Sequence, residues 1–236
     1  MKPLFLCLLS TIGHTLVVQG QLAIIKDPDG FTNVRAGSNA NAKIIGKFHY
    51  GDVFCCGEEK NGWVNVTYYP ADSLDRVGLD GYIYKDRLRP IEDLQCILKN
   101  EKPVKGGHLT LHNDSLTVEL TTAPFLPKQH VLRNDKHGYI QTIDGKSPLG
   151  TDGDPPLEKL TGLRMTIHGH AVDIPAIAWG NLYDPTLETC DVFVDAGTGF
   201  MYIHLLSTRS AAGGYEMVWI FKDDRYIKRY VDQSNN

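Results

Sequence analysis

The stretch DGFTNVRAGSNANAKIIGKFHYGDVF, residues 29–54, decides the reading of the first third of the chain. Asp29-Gly30 is a turn signal, placed after the short apolar run LAIIKD. TNVRAG then reads as a half-buried strand, with Val34 facing inward and Asn33 and Arg35 outward. SNANAK is loop. The next run, KIIGKFHYGDVFCCGEE, alternates imperfectly, and Gly46 and Gly51 mark bends of the kind small curled sheets use.

Outward from this stretch the pattern repeats. Asn61-Gly62 is a hairpin turn. WVNVTYY sets Trp63, Asn65 and Thr67 against Val64, Val66 and Tyr68. A polar loop from Pro70 to Asp80 leads to GYIYKDRLRPI, a last strand and a closing turn.

Five or six short strands carrying these residues resemble the bacterial SH3-like (SH3b) domain. The resemblance rests on Thr32 to Gly37, on Gly46 with Tyr50-Gly51-Asp52, on Asn61 to Val66, on Gly81-Tyr82-Ile83-Tyr84, and on Leu88 as the closing residue. The insertion between Tyr69 and Gly81 departs from the family's shorter link. The resemblance implies a small barrel over residues 21–92 and an extracytoplasmic setting beside cell-wall enzymes. It also implies a non-enzymatic role in binding peptidoglycan or a protein partner. Its ligand contacts would come from Phe31, Asn33, Arg35, Tyr50, Tyr69 and Tyr84. For each aromatic, core or rim packing is the competing role, and for Arg35 it is a surface ion pair.

The N-terminus, residues 1–20, reads as a signal peptide. Lys2 precedes an apolar run from Leu4 to Leu9 and another from Leu16 to Val18, with cleavage expected near Gly20-Gln21. Gly13 and His14 interrupt it, so it is too short for a membrane span. Cys7 lies too early for a lipoprotein signal. The expected product is exported, periplasmic or extracellular, with no membrane span in the mature chain. Export would place Cys55, Cys56, Cys96 and Cys190 where disulfides can form. Cys55 and Cys56 are adjacent on a strand and so point to opposite faces.

A formal net charge of -4 without any Lys/Arg run argues against a nucleic-acid partner. Residues 93–106 have linker composition, ending in Lys-Pro-Val-Lys-Gly. Within them, the segment up to Asn100 reads as a short strand or one helical turn.

Residues 107–236 read as a mainly antiparallel β domain with room for one short helix. Hairpins are expected at Asn113-Asp114, at Asp195 to Gly199 and at Lys222-Asp223-Asp224. LEKLTG opens as a turn of helix and continues as two strands joined at Gly169. The last strand sets Tyr226, Lys228 and Tyr230 against Ile227, Arg229 and Val231. GNLYDP, GGYEMVWIF and YIKRYV resemble the C-terminal part of SH3b-containing proteins of Bacteroidetes-type bacteria, a likeness that implies no activity.

Catalytic motifs are sparse. The Asp-Cys-Ser-Gly setting of NlpC-type peptidases is absent, and Cys190 in ETCDVF has neither a helix end nor a basic neighbour to make it a thiolate. His168 and His170 in TIHGHAVD are two apart, the spacing of a His-x-His metal pair, with Asp173 or His204 as further donors. That is the alternative reading, a cell-envelope hydrolase with a metal site on the C-terminal domain. Its bland counterpart is a polar strand face. Asp152, Asp154 and Glu158 supply carboxylates without any sign that they converge. No cofactor is expected. Trp179, Tyr183, Tyr215 and Trp219 flank loops that suit either a binding surface or core packing.

Overall fold

Strict alternation along Phe31–Arg35 buries Thr32 and Val34 and leaves Phe31, Asn33 and Arg35 partly open. That pattern sets the first sheet. A computed structural model describes residues 20–69, 78–101, 103–208 and 213–233. The signal-peptide expectation, Cys7 included, and most of the polar loop after Tyr69 lie outside the described residues.

The first seven strands are β1 (Gln21–Ile25), β2 (Phe31–Arg35), β3 (Ile44–His49), β4 (Val53–Lys60), β5 (Trp63–Tyr68), β6 (Leu79–Tyr84) and β7 (Leu88–Pro90). They form one sheet in the order β3-β2-β6-β5-β4-β1-β7. Ala23, Ile25, Val34, Phe48, Phe54, Cys56, Val66 and Ile83 touch one another, so six strands curl around one small core. Phe48 stacks flat on Phe54 with centroids 4.3 Å apart. Asn61 and Gly62 both have positive φ, 53° and 80°, as a two-residue hairpin turn demands.

After β8 (Gln95–Lys99) come β9 (His108–His112) and β10 (Leu116–Pro124), then a small hairpin of β11 (Leu132–Asn134) and β12 (Ile140–Ile143). The chain continues through β13 (Glu158–Ile167), β14 (His170–Ala171), β15 (Asp191–Asp195), β16 (Phe200–Ser207), β17 (Tyr215–Lys222) and β18 (Arg225–Asp232). Four strands pair as β14-β13-β10-β9, and five as β18-β17-β16-β15-β8. The expected hairpin turns at Asn113-Asp114, Asp195 to Gly199 and Asp223-Asp224 all occur. Asn113 Oδ1 accepts from the backbone N–H groups of Ser115 and Leu116, which fixes the first of them.

The fold is mainly β, and the described residues contain only short 3₁₀ turns besides strands. The turn of helix expected at LEKLTG is strand instead, because Lys159 and Leu160 pair with Ala123 and Thr122 of β10. A bulge at Thr161 lets Leu160, Leu163, Met165 and Ile167 all face the core despite their uneven spacing. Within the expected linker 93–106, the strand is the one of its two readings that occurs. Its Gln95–Lys99 portion is β8, paired with β15 at the edge of the five-stranded sheet.

The five-stranded sheet is the middle layer. On one face, Val192, Ile203, Leu205, Met217, Trp219, Phe221 and Val231 pack against Leu109, Val118, Leu120 and Met165 of the four-stranded sheet. On the other face, Phe193, Phe200, Tyr202, Val218, Ile220 and Tyr230 pack against Leu22, Ile24, Val53 and Cys55 of the first sheet. Coverage on both sides explains why FMYIHLLS and YEMVWIFK are nearly continuous apolar runs. Strands β1 and β4 serve two cores in the same way. Cys55 faces the seam and Cys56 the inner core, as their adjacency requires.

The ion pair of Lys228 with Asp52, and that of Arg89 with Asp195 at 3.5 Å, also cross the seam. A bulge at Ile227 breaks the alternation expected for the last strand. Tyr226 packs with Phe221 on one face, while Lys228 and Tyr230 turn to the other. Ile97 of β8 is bulged out of its pairing in the same manner. No helix among the described residues is long and apolar enough to cross a membrane.

Candidate functional site

Docking onto the central sheet consumes the outer sides of β1 and β4. It leaves open the outer sides of β2, β5 and β6. There the register brings together Arg35 opposite Tyr82, Tyr82 opposite Asn65, and Tyr84 opposite Trp63. Trp63 and Tyr84 meet edge to face at 5.6 Å, and Tyr84 is 42% exposed. Asp80 lies between aromatic and amide groups, accepting from Asn65 Nδ2 at 3.2 Å and Thr67 Oγ1 at 3.4 Å. Arg35 donates from Nη1 to the Ala42 carbonyl at 2.8 Å, so it fixes the 36–43 loop rather than pairing with a surface carboxylate.

Phe31 continues this face on β2, with Lys47 Nζ 4.3 Å above its ring and His49 beside it. Asn33 also lies on it, opposite Lys47, and its Oδ1 is buried with no hydrogen-bond partner among the described residues. Of the residues named from sequence, Phe31, Asn33, Arg35 and Tyr84 therefore share one surface. Tyr69 lies just past the end of β5 and is exposed, its ring against Gly78. Tyr50 leaves the set. Its hydroxyl donates to the Asp27 carbonyl at 2.6 Å and its ring packs between the inner core and the seam. Sequence reasoning missed Trp63 and Tyr82 as surface groups. The alternation of WVNVTYY already placed Trp63 on the polar side with Asn65 and Thr67, which was the available signal.

A second arrangement lies at the seam. A cleft of about 270 Å³ is lined by Gln21, Leu22, Ile91, Glu92, His204 and Glu216. His204 Nε2 and Glu216 Oε1 are 2.6 Å apart, and both side chains are nearly covered. His204 comes from β16 and Glu216 from β17, while the opposite wall comes from β1 and the turn after β7. No local motif announces such a meeting.

A third cluster sits where the small hairpin meets β13. His130 Nδ1 contacts Asp144 Oδ2 at 2.6 Å, and Lys159 Nζ lies 3.2 Å from His130 Nε2. The His130 ring stacks on Phe125 at 4.5 Å. Asp144 also accepts from the Val131 backbone N–H, and these two contacts hold its carboxyl below the usual range. Because the imidazole bridges a carboxylate and an ammonium, the cluster ties the hairpin to the sheet. It presents no nucleophile.

The candidate metal pair does not share a strand face. His168 occupies the turn between β13 and β14 with φ of 48°, followed by Gly169, and only His170 is on a strand. Among the described residues no group of three His, Cys, Asp or Glu side chains is placed to hold a metal ion. Cys190 is fully buried, and burial pushes its thiol well up, as it pushes Cys56 up to about 12. Cys55, Cys56, Cys96 and Cys190 are all free thiols. Trp219 is core, its Nε1 donating to the Ala178 carbonyl at 2.8 Å, and Trp179 packs against that core from its edge.

No protein-family model, curated protein or solved structure matches the chain.

Proposed function

We propose that this is an exported, non-enzymatic binding protein of the bacterial cell envelope. Its SH3-like N-terminal region takes peptidoglycan on the outer face of β2, β5 and β6. One observation carries the reading. The Trp63–Tyr84 pair, with Tyr82, Arg35 and Asp80 beside it, lies on the side of the first sheet that the central sheet leaves uncovered. Aromatic faces stack on sugar rings and on peptide planes, and the neighbouring amide, guanidinium and carboxylate groups supply orientation.

The test is retention of the full chain on isolated peptidoglycan sacculi at moderate salt. We expect retention, with loss in a Trp63→Ala/Tyr84→Ala double variant that keeps its circular dichroism spectrum. A chain that passes through the sacculi unretained rules out the wall ligand and leaves a protein partner for this face.

A further inference from the structure

We propose that Asn61 is a site of spontaneous deamidation, and that the isoaspartate formed there takes apart the Trp63–Tyr84 face. Asn61 is the only asparagine in the chain followed by glycine. That order matters chemically. The backbone nitrogen of Gly62 reaches the Asn61 side-chain carbonyl most easily because glycine brings no Cβ to crowd the approach. A bond forms from the Gly62 nitrogen to Asn61 Cγ, closing a cyclic imide. The Cγ–Nδ2 bond breaks, and ammonia leaves with the proton lost from the Gly62 amide. Water then opens the imide at either carbonyl, giving aspartate or isoaspartate. No oxidant or cofactor is consumed.

The turn leaves the reacting groups available. Asn61 is exposed at the tip of the β4–β5 hairpin, between the paired residues Lys60 and Trp63. Neither its side chain nor the Gly62 N–H has a hydrogen-bond partner among the described residues. Both residues hold positive φ, 53° and 80°, so closing the imide requires a brief opening of the tip. The folded chain therefore reacts more slowly than a peptide of the same sequence.

The two products act differently. Asp-Gly suits this turn as Asn-Gly does, so aspartate preserves the hairpin. Isoaspartate routes the main chain through the side-chain methylene and lengthens a turn whose length sets the register. The lengthened turn lies directly under the face. A Cβ built on Gly62 would stand 3.1 Å from Tyr84 Cε2, and the Gly62 carbonyl accepts from the Lys85 N–H at 2.9 Å. Trp63 follows Gly62 and meets Tyr84 edge to face. Displacing Gly62 removes the surface beneath the Tyr84 ring and the tie to the end of β6 together. Val64 and Val66, buried in the small core, hold the rest of β5 and confine the damage to the tip. The outer face thus has a chemical lifetime. Its effect on ligand retention rests on the wall-binding reading, whereas the chemistry at the turn does not.

The test ages the full chain in mildly alkaline buffer beside a peptide covering the β4–β5 turn. Fragmentation mass spectrometry separates aspartate from isoaspartate, and NMR follows the Trp63 indole and the Tyr84 ring. We expect both products at Asn61, with the Trp63 and Tyr84 signals lost in step with isoaspartate while Val66 stays in place. Asn61→Asp, measured fresh, should keep the aromatic pair, and Asn61→Ser should abolish the ageing. Sacculus retention should fall in aged wild-type chain and hold in aged Asn61→Ser. The idea is overturned if Asn61 stays intact over the time in which the peptide reacts fully, or if isoaspartate accumulates without moving the Trp63 and Tyr84 signals. A fresh chain that is not retained counts against the wall ligand alone, since mass and spectra still decide the chemistry.

Discussion

Strand β5 in the first sheet and strand β17 in the central sheet are both antiparallel and both flanked by pairing partners, yet they are written differently. WVNVTY alternates, with Val64 and Val66 inside and Trp63, Asn65 and Thr67 outside. YEMVWIFK does not, because Met217, Trp219 and Phe221 fill one core while Val218 and Ile220 fill another. The difference teaches that a broken alternation reports a second covering layer. A sheet wet on one side keeps a surface for ligands, and a sheet covered twice gives that up for cohesion.

The sharpest way to break this comparison is at Trp219, which is fully buried. Trp219→Ala should cost about 3–5 kcal/mol in urea unfolding, since it opens a large void and removes the bond to Ala178. The next largest effect tests the seam. Ile220→Ala should cost about 2–5 kcal/mol, and near-UV and far-UV transitions should stay coincident in the parent chain if the shared layer makes the halves one cooperative unit. Two separated transitions in the parent would sink that claim.

On the single-sided sheet the expected stability effects shrink. Tyr84→Ala should change stability by less than about 1 kcal/mol, and its consequence should show in sacculus retention instead. Thiol chemistry sharpens the contrast at still lower stakes: in the native protein iodoacetamide should label exposed Cys96 first, with Cys190 and Cys56 silent until unfolding.

The smallest expected effect is a pH dependence at Asp144. Its folded pKa is depressed from 3.8, so the ionised carboxyl favours the folded state above that value. The contribution disappears as pH falls through the depressed folded value. Asp144→Asn should therefore be slightly less stable at pH 7 and should lose less stability on acidification, as read by thermal melts from pH 7 downward.

Much of the strand content was legible because turns and alternation are local. Asn61-Gly62, Asn113-Asp114 and Asp223-Asp224 mark hairpins whatever surrounds them. The adjacency of Cys55 and Cys56 also sufficed to send them to different compartments. Other features depend on partners far away in the chain. QCILK reads equally as a short strand or a helical turn until β15 pairs with it. Tyr50 looks like a surface aromatic until the central sheet covers it. The His204–Glu216 contact needs two strands in register and a third element facing them, so neither residue stands out in the linear text. The face that holds Phe31, Arg35 and Tyr84 was partly legible because one alternating strand carries the first two.

The central sheet has two ends, β8 and β18, and each carries one bulged isoleucine, Ile97 and Ile227. A layer that is apolar on both sides is the part of a protein most ready to recruit further strands from other molecules. A bulge kinks the outermost strand and spoils the straight row of amides and carbonyls that a newcomer needs. Arg225, two residues before Ile227, is exposed at the start of the same edge strand and adds charge against a second copy. Smoothing either irregular position by deleting its isoleucine should straighten that edge and raise the tendency of the chain to aggregate, as read by light scattering.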